Sequence, residues 1–128
     1  MKIIIKATNL KLTVALKQYI EKKIRPLQRF LKKTEKDIAE ADVEVGKPSQ
    51  HHKSGAIYYA EINLNVLGKL YRAKTKTADI YAAIDEIKDE VQREIKRFKE
   101  KQITKNRRRE RSFKKKKALS PYARFRKK

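Results

Sequence analysis

Residues 79–101 read DIYAAIDEIKDEVQREIKRFKEK, and their periodicity decides the fold. Ile80, Ile84, Ile87, Val91, Ile95 and Phe98 recur at spacings of three and four, so they form one apolar stripe on a helix. Asp79 is placed to cap that helix by accepting from an early backbone N–H. Asp85, Glu86, Asp89 and Glu90 crowd its first half, and Arg93, Lys96, Arg97, Lys99 and Lys101 its second. That order suits the helix macrodipole and leaves a cationic rim at the far end.

A helix with one apolar stripe needs a surface to cover. Lys2 to Ala7 alternates as a first strand, with Ile4 expected to be buried as well as Ile3 and Ile5. Thr13 is a plausible N-cap for a helix carrying Leu16, Ile20, Ile24, Leu27 and Leu31 on one face. Pro26 removes a backbone donor inside this pattern and should kink it. Ile38, Ala41, Val43 and Val45 suggest a second strand, and Gly46–Gly55 a loop. Tyr58, Ala60, Ile62, Leu64 and Val66 give the core face of a third strand, and Leu70–Thr77 returns as a fourth. The resulting order is β-α-β-β-β-α. It predicts an α+β fold in two layers, a four-stranded sheet with both helices on one face. Tyr81 is expected to pack against that sheet.

The chain has 128 residues, enough for one domain but not two. Lys and Arg number 36 against 15 Asp and Glu, a formal net charge of +21. The excess is uneven, with 13 Lys and Arg against the single Glu110 in residues 103–128. The division expected is a folded domain over 1–102 and a disordered basic arm over 103–128. NRRRERSFKKKK holds too little apolar surface to offset its ordering entropy. Phe113, Tyr122 and Phe125 in the arm could stack on unpaired bases. Such a balance points to a polyanionic partner. There is no cysteine, so neither a disulfide nor a Cys-based zinc site can form. MKIIIKATNL is neither a secretory signal nor a membrane span, and a cytoplasmic protein is expected.

The opening DIYAAID with its basic end resembles the signature of the ribosome hibernation-promoting factors, also called ribosome-associated inhibitors or subunit-interface proteins. The resemblance extends to Asn9, Leu12-Thr13, Ala15-Leu16-Lys17, Tyr19-Ile20, Lys23 and Leu27 in the first helix. It includes Tyr58–Ile62 and Gly68–Ala73 in the central hairpin, and so covers about residues 1–102. It implies binding to the small ribosomal subunit at the decoding region, where tRNA and mRNA sit. It also implies a short form, because residues after 102 leave no room for the dimerisation domain of long members, and hence a monomer. Lys17, Lys23, Arg93, Arg97, Lys99 and Lys101 match the family's cationic positions. Glu90 and Glu94 depart from positions where members often carry Lys and Gln.

From the residues themselves, Arg25 and Arg29 on the first helix and Lys96 on the last join those six. If the two helices lie side by side, their cations border one groove. Arg107, Arg108 and Arg109 extend the expected RNA contacts into the arm. A solvated face is the competing account of the helix cations. Two readings from other classes stand beside the leading one: a general double-stranded-RNA binder or RNA chaperone, and an adaptor held on an anionic membrane by the arm. His51 and His52 lack further ligands at metal spacing, so no metal is expected. Asp79 and Asp85 lie six residues apart and face different ways, which argues against an acid/base pair. No Ser-His-Asp set, phosphate loop or HExxH is present. Neither an enzyme, a cofactor nor a small-molecule substrate is expected.

Overall fold

The computed structural model describes residues 1–48 and 57–119, with side chains as far as residue 113. Two compact units emerge, Met1–Ile95 and Lys96–Lys128.

The first unit holds strand β1 (Lys2–Thr8), helix α1 (Val14–Ile24), a 3₁₀ helix (Arg25–Phe30), the one-turn helix α2 (Lys33–Lys36), strands β2 (Glu40–Gly46), β3 (Tyr58–Val66) and β4 (Lys69–Thr77), and the start of α3 (Ile80–Leu119). The sheet order is β1-β2-β3-β4. β1 and β2 are parallel, while β2–β3 and β3–β4 are antiparallel. The expected α+β class holds.

Register assigns each face. Ile5, Val43, Ile62 and Ala73 form one cross-strand row, and Ile3, Ala41, Leu64 and Tyr71 the next. Apart from the half-buried Ile3 and Ile5 on the edge strand, these residues are buried. Both helical stripes are buried with them: Leu16, Ile20, Ile24, Leu27 and Leu31, then Ile80, Ala83, Ile84, Ile87, Val91 and Ile95. Truncating any of the fully enclosed isoleucines to Ala should cost about 2–5 kcal/mol.

The opposite face is open. Its rows run Lys6–Glu44–Glu61–Lys74 and Ile4–Asp42–Asn63–Arg72. Here an expectation fails: Ile4 is 41% exposed. It belongs to the open face of an edge strand, where its partner across β2 is Asp42. Ile38 is likewise exposed, because it precedes β2 rather than joining it.

Local signals fix the element ends. Thr13 Oγ1 accepts from Leu16 N at 3.1 Å and caps α1. Pro26 then ends α1 at Ile24 and opens the 3₁₀ helix, whose turns still bury Leu27. Asp79 Oδ1 accepts from Tyr81 N at 3.0 Å and caps α3. Between β3 and β4, Leu67 (φ 49°) and Gly68 (φ 82°) make a two-residue turn, with Gly68 N donating to Asn65 Oδ1 at 3.2 Å. Positive φ at both positions is the type I′ hairpin geometry.

The far end of α3 differs most from expectation. The helix does not stop at Lys101, and residues 103–119, expected to be disordered, are helical. The physical reason is local. Lys and Arg fill nine of its seventeen positions, and both are good helix formers. No Gly or Pro occurs between Ile80 and Pro121 to break the backbone pattern. A helix already begun adds residues without a fresh nucleation cost. The rest of the expected arm, with Tyr122 and Phe125, lies outside the described residues, as do His51, His52 and most of the Gly46–Gly55 loop.

Candidate nucleic-acid interface

Charge separates sharply between surfaces. On the open sheet face, Lys2, Lys6, Arg72, Lys74 and Lys76 are set against Glu40, Asp42, Glu44 and Glu61. Arg72 Nη2 lies 2.8 Å from Glu61 Oε1, and Lys6 Nζ lies 3.7 Å from Glu44 Oε1. That face is close to neutral. The cationic excess of the first unit sits instead on α1 and the turns that follow it, at Lys17, Lys22, Arg25 and Arg29.

Of the residues expected to bind RNA, Lys17, Arg25, Arg29 and Arg93 are exposed in this unit. Among the described residues, Lys17, Arg29 and Arg93 have no carboxylate within ion-pair distance. Arg25 Nη1 donates to the carbonyl of Met1 at 3.3 Å, which leaves most of its donors to solvent. Lys23 is different. Its Nζ lies 3.7 Å from Asp85 Oδ1 and 5.5 Å from the centre of the Tyr19 ring. This cation is already partly neutralised.

Asp85 is also the acceptor for the Tyr19 hydroxyl, at 2.7 Å. The Tyr19 and Tyr81 rings meet edge to face, with centroids 4.8 Å apart. Tyr81, expected against the sheet, is 39% exposed and meets α1 through the Tyr19 ring. These contacts place α1 beside the start of α3, and they fill the seam there with aromatic rings. The hydrogen bond to Asp85 raises the Tyr19 pKa most, with burial and the carboxylate's charge adding to it, up to about 12.

The second unit is described by itself. Lys96, Arg97, Lys101, Arg107, Arg108 and Arg109 are exposed and Lys99 is half-buried. Arg97, Glu100, Lys101, Thr104, Lys105 and Arg108 line one groove along the helix. Consecutive helical residues point about 100° apart, so Arg107, Arg108 and Arg109 splay rather than cluster. Only Arg108 of the three lines that groove. Lys105 belongs to it too and was missed in sequence; its spacing of four from Lys101 was the available signal.

The family described as sigma 54 modulation protein / S30EA ribosomal protein matches residues 3–103. The chain belongs to that family. Among relatives of this ribosomal family, the ribosome hibernation promotion factor of Deinococcus radiodurans is 30% identical over 91 residues, covering 71% of this chain and 45% of that protein. The factor of the same description from Staphylococcus aureus is 28% identical over 91 residues, 71% of this chain and 44% of that one. The chain thus spans about half the length of the curated relatives it matches. In structure, it is similar to the Protein Y N-terminal domain of Thermus thermophilus, with a TM-score of 0.63 and 32% identity over 77% of this chain and 99% of that one. A ribosomal subunit interface protein from Coxiella burnetii shares the fold, with a TM-score of 0.59 and 18% identity over 77% and 98% of the two chains. The family match ends at residue 103, whereas α3 continues to Leu119. Among the described residues, no helix is long and apolar enough to cross a membrane.

Proposed function

We propose that this chain binds the small ribosomal subunit in its decoding region and holds the ribosome idle by excluding tRNA and mRNA. The observation that carries the reading is the family match over residues 3–103, which takes in all but the first two residues of the α+β unit. The distribution of charge supports it. A near-neutral sheet face leaves the exposed cations of α1, its following turns and α3 as the surface for rRNA. On the first unit, Lys17, Arg25, Arg29 and Arg93 would meet rRNA, with Lys23 partly neutralised by Asp85. On the second, Lys96, Arg97, Lys99, Lys101 and the arm arginines Arg107 to Arg109 would.

The mechanism is occupancy. Phosphate contacts and shape complementarity hold the domain where a substrate RNA would lie, and no bond is made or broken. The domain acts as a monomer and needs no cofactor.

The test uses purified small subunits carrying labelled initiator tRNA. Adding the protein should release the tRNA and saturate at one copy per subunit. Coexistence of both ligands on one subunit at saturation would overturn competitive occupancy. A general duplex-RNA binder is favoured by the basic helix that runs beyond the family match. Equal affinity for ribosomal subunits and an unrelated RNA duplex would support that reading instead.

A further inference from the structure

The second unit carries a feature that the family match, ending at residue 103, covers only in part. Lys101, Lys105 and Arg108 lie four, eight and eleven residues beyond Arg97, so all four fall within about 80° around the helix axis. All are exposed, and they line one groove with Thr104 between them and Glu100 at its edge. The opposite side of the helix holds Gln102, Ile103, Asn106, Glu110 and Phe113. Lys96, Lys99 and Arg107 are its cations among the described side chains. The stripe is therefore the denser row of charge. From Arg97 to Arg108 it spans about 16 Å of axis.

We propose that the stripe Arg97–Lys101–Lys105–Arg108 is a binding surface for the phosphates of one strand of an RNA duplex, and that its helical presentation sets the contact. This rests on the reading above that the partner is RNA. Duplex RNA fits better than a single strand. A rigid row of cations matches a rigid row of phosphates, and duplexes are recognised chiefly by shape and backbone. Recognition of an unpaired strand relies on aromatic platforms for successive bases, and here a single ring, Phe113, stands beside the end of the stripe at Lys105 and Arg108. A membrane surface fits poorly, since it would need a continuous apolar face, and the exposed large apolar side chains described in this unit are Ile103 and Phe113, ten residues apart.

The stripe also stores repulsion. Arg97–Lys101 and Lys101–Lys105 are like-charge pairs at i, i+4, and each disfavours the free helix. Phosphates would neutralise these pairs, so binding and helix stability rise together. A flexible arm of equal charge would show no such coupling.

The experiment compares two charge-matched variants of the full chain. One removes the stripe (Lys101→Gln, Lys105→Gln, Arg108→Gln), and the other removes three cations of the open sheet face (Lys2→Gln, Lys74→Gln, Lys76→Gln). Binding to a labelled RNA hairpin duplex and to purified small subunits is measured across a salt series, with thermal melts confirming the fold. The stripe variant should lose about 2–3 units of log–log salt slope, as expected for three phosphate contacts, and the other variant less than one. Equal losses would overturn the proposal, because charge without a preferred face would explain them. A third variant, Thr104→Pro, keeps every cation and breaks the helix; unchanged binding by it would overturn the proposal as well. So would equal affinity for the duplex, a single strand of the same charge, or anionic phospholipid vesicles. If the full chain binds the duplex through the stripe but not the small subunit, the ribosomal reading falls and the stripe stands. If it binds the subunit with both variants alike, the reverse holds.

Discussion

The Tyr19 hydroxyl donates to Asp85 Oδ1 at 2.7 Å, across 66 residues of sequence. This bond ties the first helix to the start of the last. Asp85 serves two partners at once, since Lys23 Nζ also lies 3.7 Å from the same oxygen. A carboxylate that accepts from Tyr19 and faces Lys23 fixes the seam between helices and sets how much of the Lys23 charge is left for a partner.

The first prediction concerns alkaline titration. The Tyr19 pKa stands at about 12 against an ordinary value of 10.0, with the Asp85 hydrogen bond as the largest cause. Its folded pKa is raised, so its contribution to stability is fully present below about pH 10 and is lost as pH rises through about 12. Phenolate absorbance should show Tyr19 ionising late among the six tyrosines, with Tyr71 also delayed, chiefly by burial. Asp85→Ala should return Tyr19 toward 10. A titration curve identical in the variant would show that Asp85 does not hold the phenol.

A second prediction tests the parallel pairing of β1 and β2. A Cβ on Gly46 would sit 2.2 Å from the carbonyl oxygen of Thr8, its register partner. Backbone cannot yield as a side-chain tip can. Gly46→Ala should therefore destabilise the first unit by roughly 1–3 kcal/mol. Chemical denaturation reads this directly, and a midpoint equal to that of the parent chain would refute the close approach.

The hairpin turn gives a prediction of opposite sign. Leu67 takes φ 49° with its side chain 69% exposed. A leucine gains nothing there and carries the left-handed penalty, whereas asparagine tolerates that region and favours Asn-Gly type I′ turns. Leu67→Asn should stabilise the protein by about 0.5–1 kcal/mol. A lower melting temperature in this variant would mean that Leu67 has a packing role.

How much of this was legible in sequence follows from range. Thr13 and Asp79 announced their helix ends because a cap is a local hydrogen bond. The alternation of Tyr58 to Val66 gave the correct core face because a strand's period is two. Pro26 marked a break whose outcome, a 3₁₀ helix, depends on Leu27 and Leu31 still reaching the core. Ile4 misled, since an apolar residue on an edge strand looks the same in sequence whichever face it joins. The Tyr19–Asp85 bond was out of reach because only tertiary packing joins residues so far apart. For residues 103–119, low hydrophobicity argued for disorder, but helix propensity and the absence of a breaker acted in the other direction. The cationic stripe was within reach: the spacing from Arg97 to Arg108 is helical, but it counts only once the helix is known to continue that far.

The last prediction concerns what that continuation adds. The α+β unit lies within the family match, and the T. thermophilus domain similar to it is almost entirely covered by this chain. Truncation after Gln102 should therefore leave a folded domain, with the buried stripe from Ile80 to Ile95 intact. It removes 13 of the 36 Lys and Arg residues, with Lys105 and Arg108 among them. If these meet phosphates, each lost contact removes about 0.7–0.9 from the log–log salt slope. Binding of the truncated chain to small subunits should weaken, and its slope should fall by several units. Diffuse attraction alone would act only within a Debye length of about 8 Å at physiological salt, and would change affinity without a comparable change of slope. A truncated chain with the salt slope of the full one would show that no phosphate is held beyond Gln102. An increase in helicity on adding duplex RNA, present in the full chain and absent from the truncated one, would place the ordering in the removed segment.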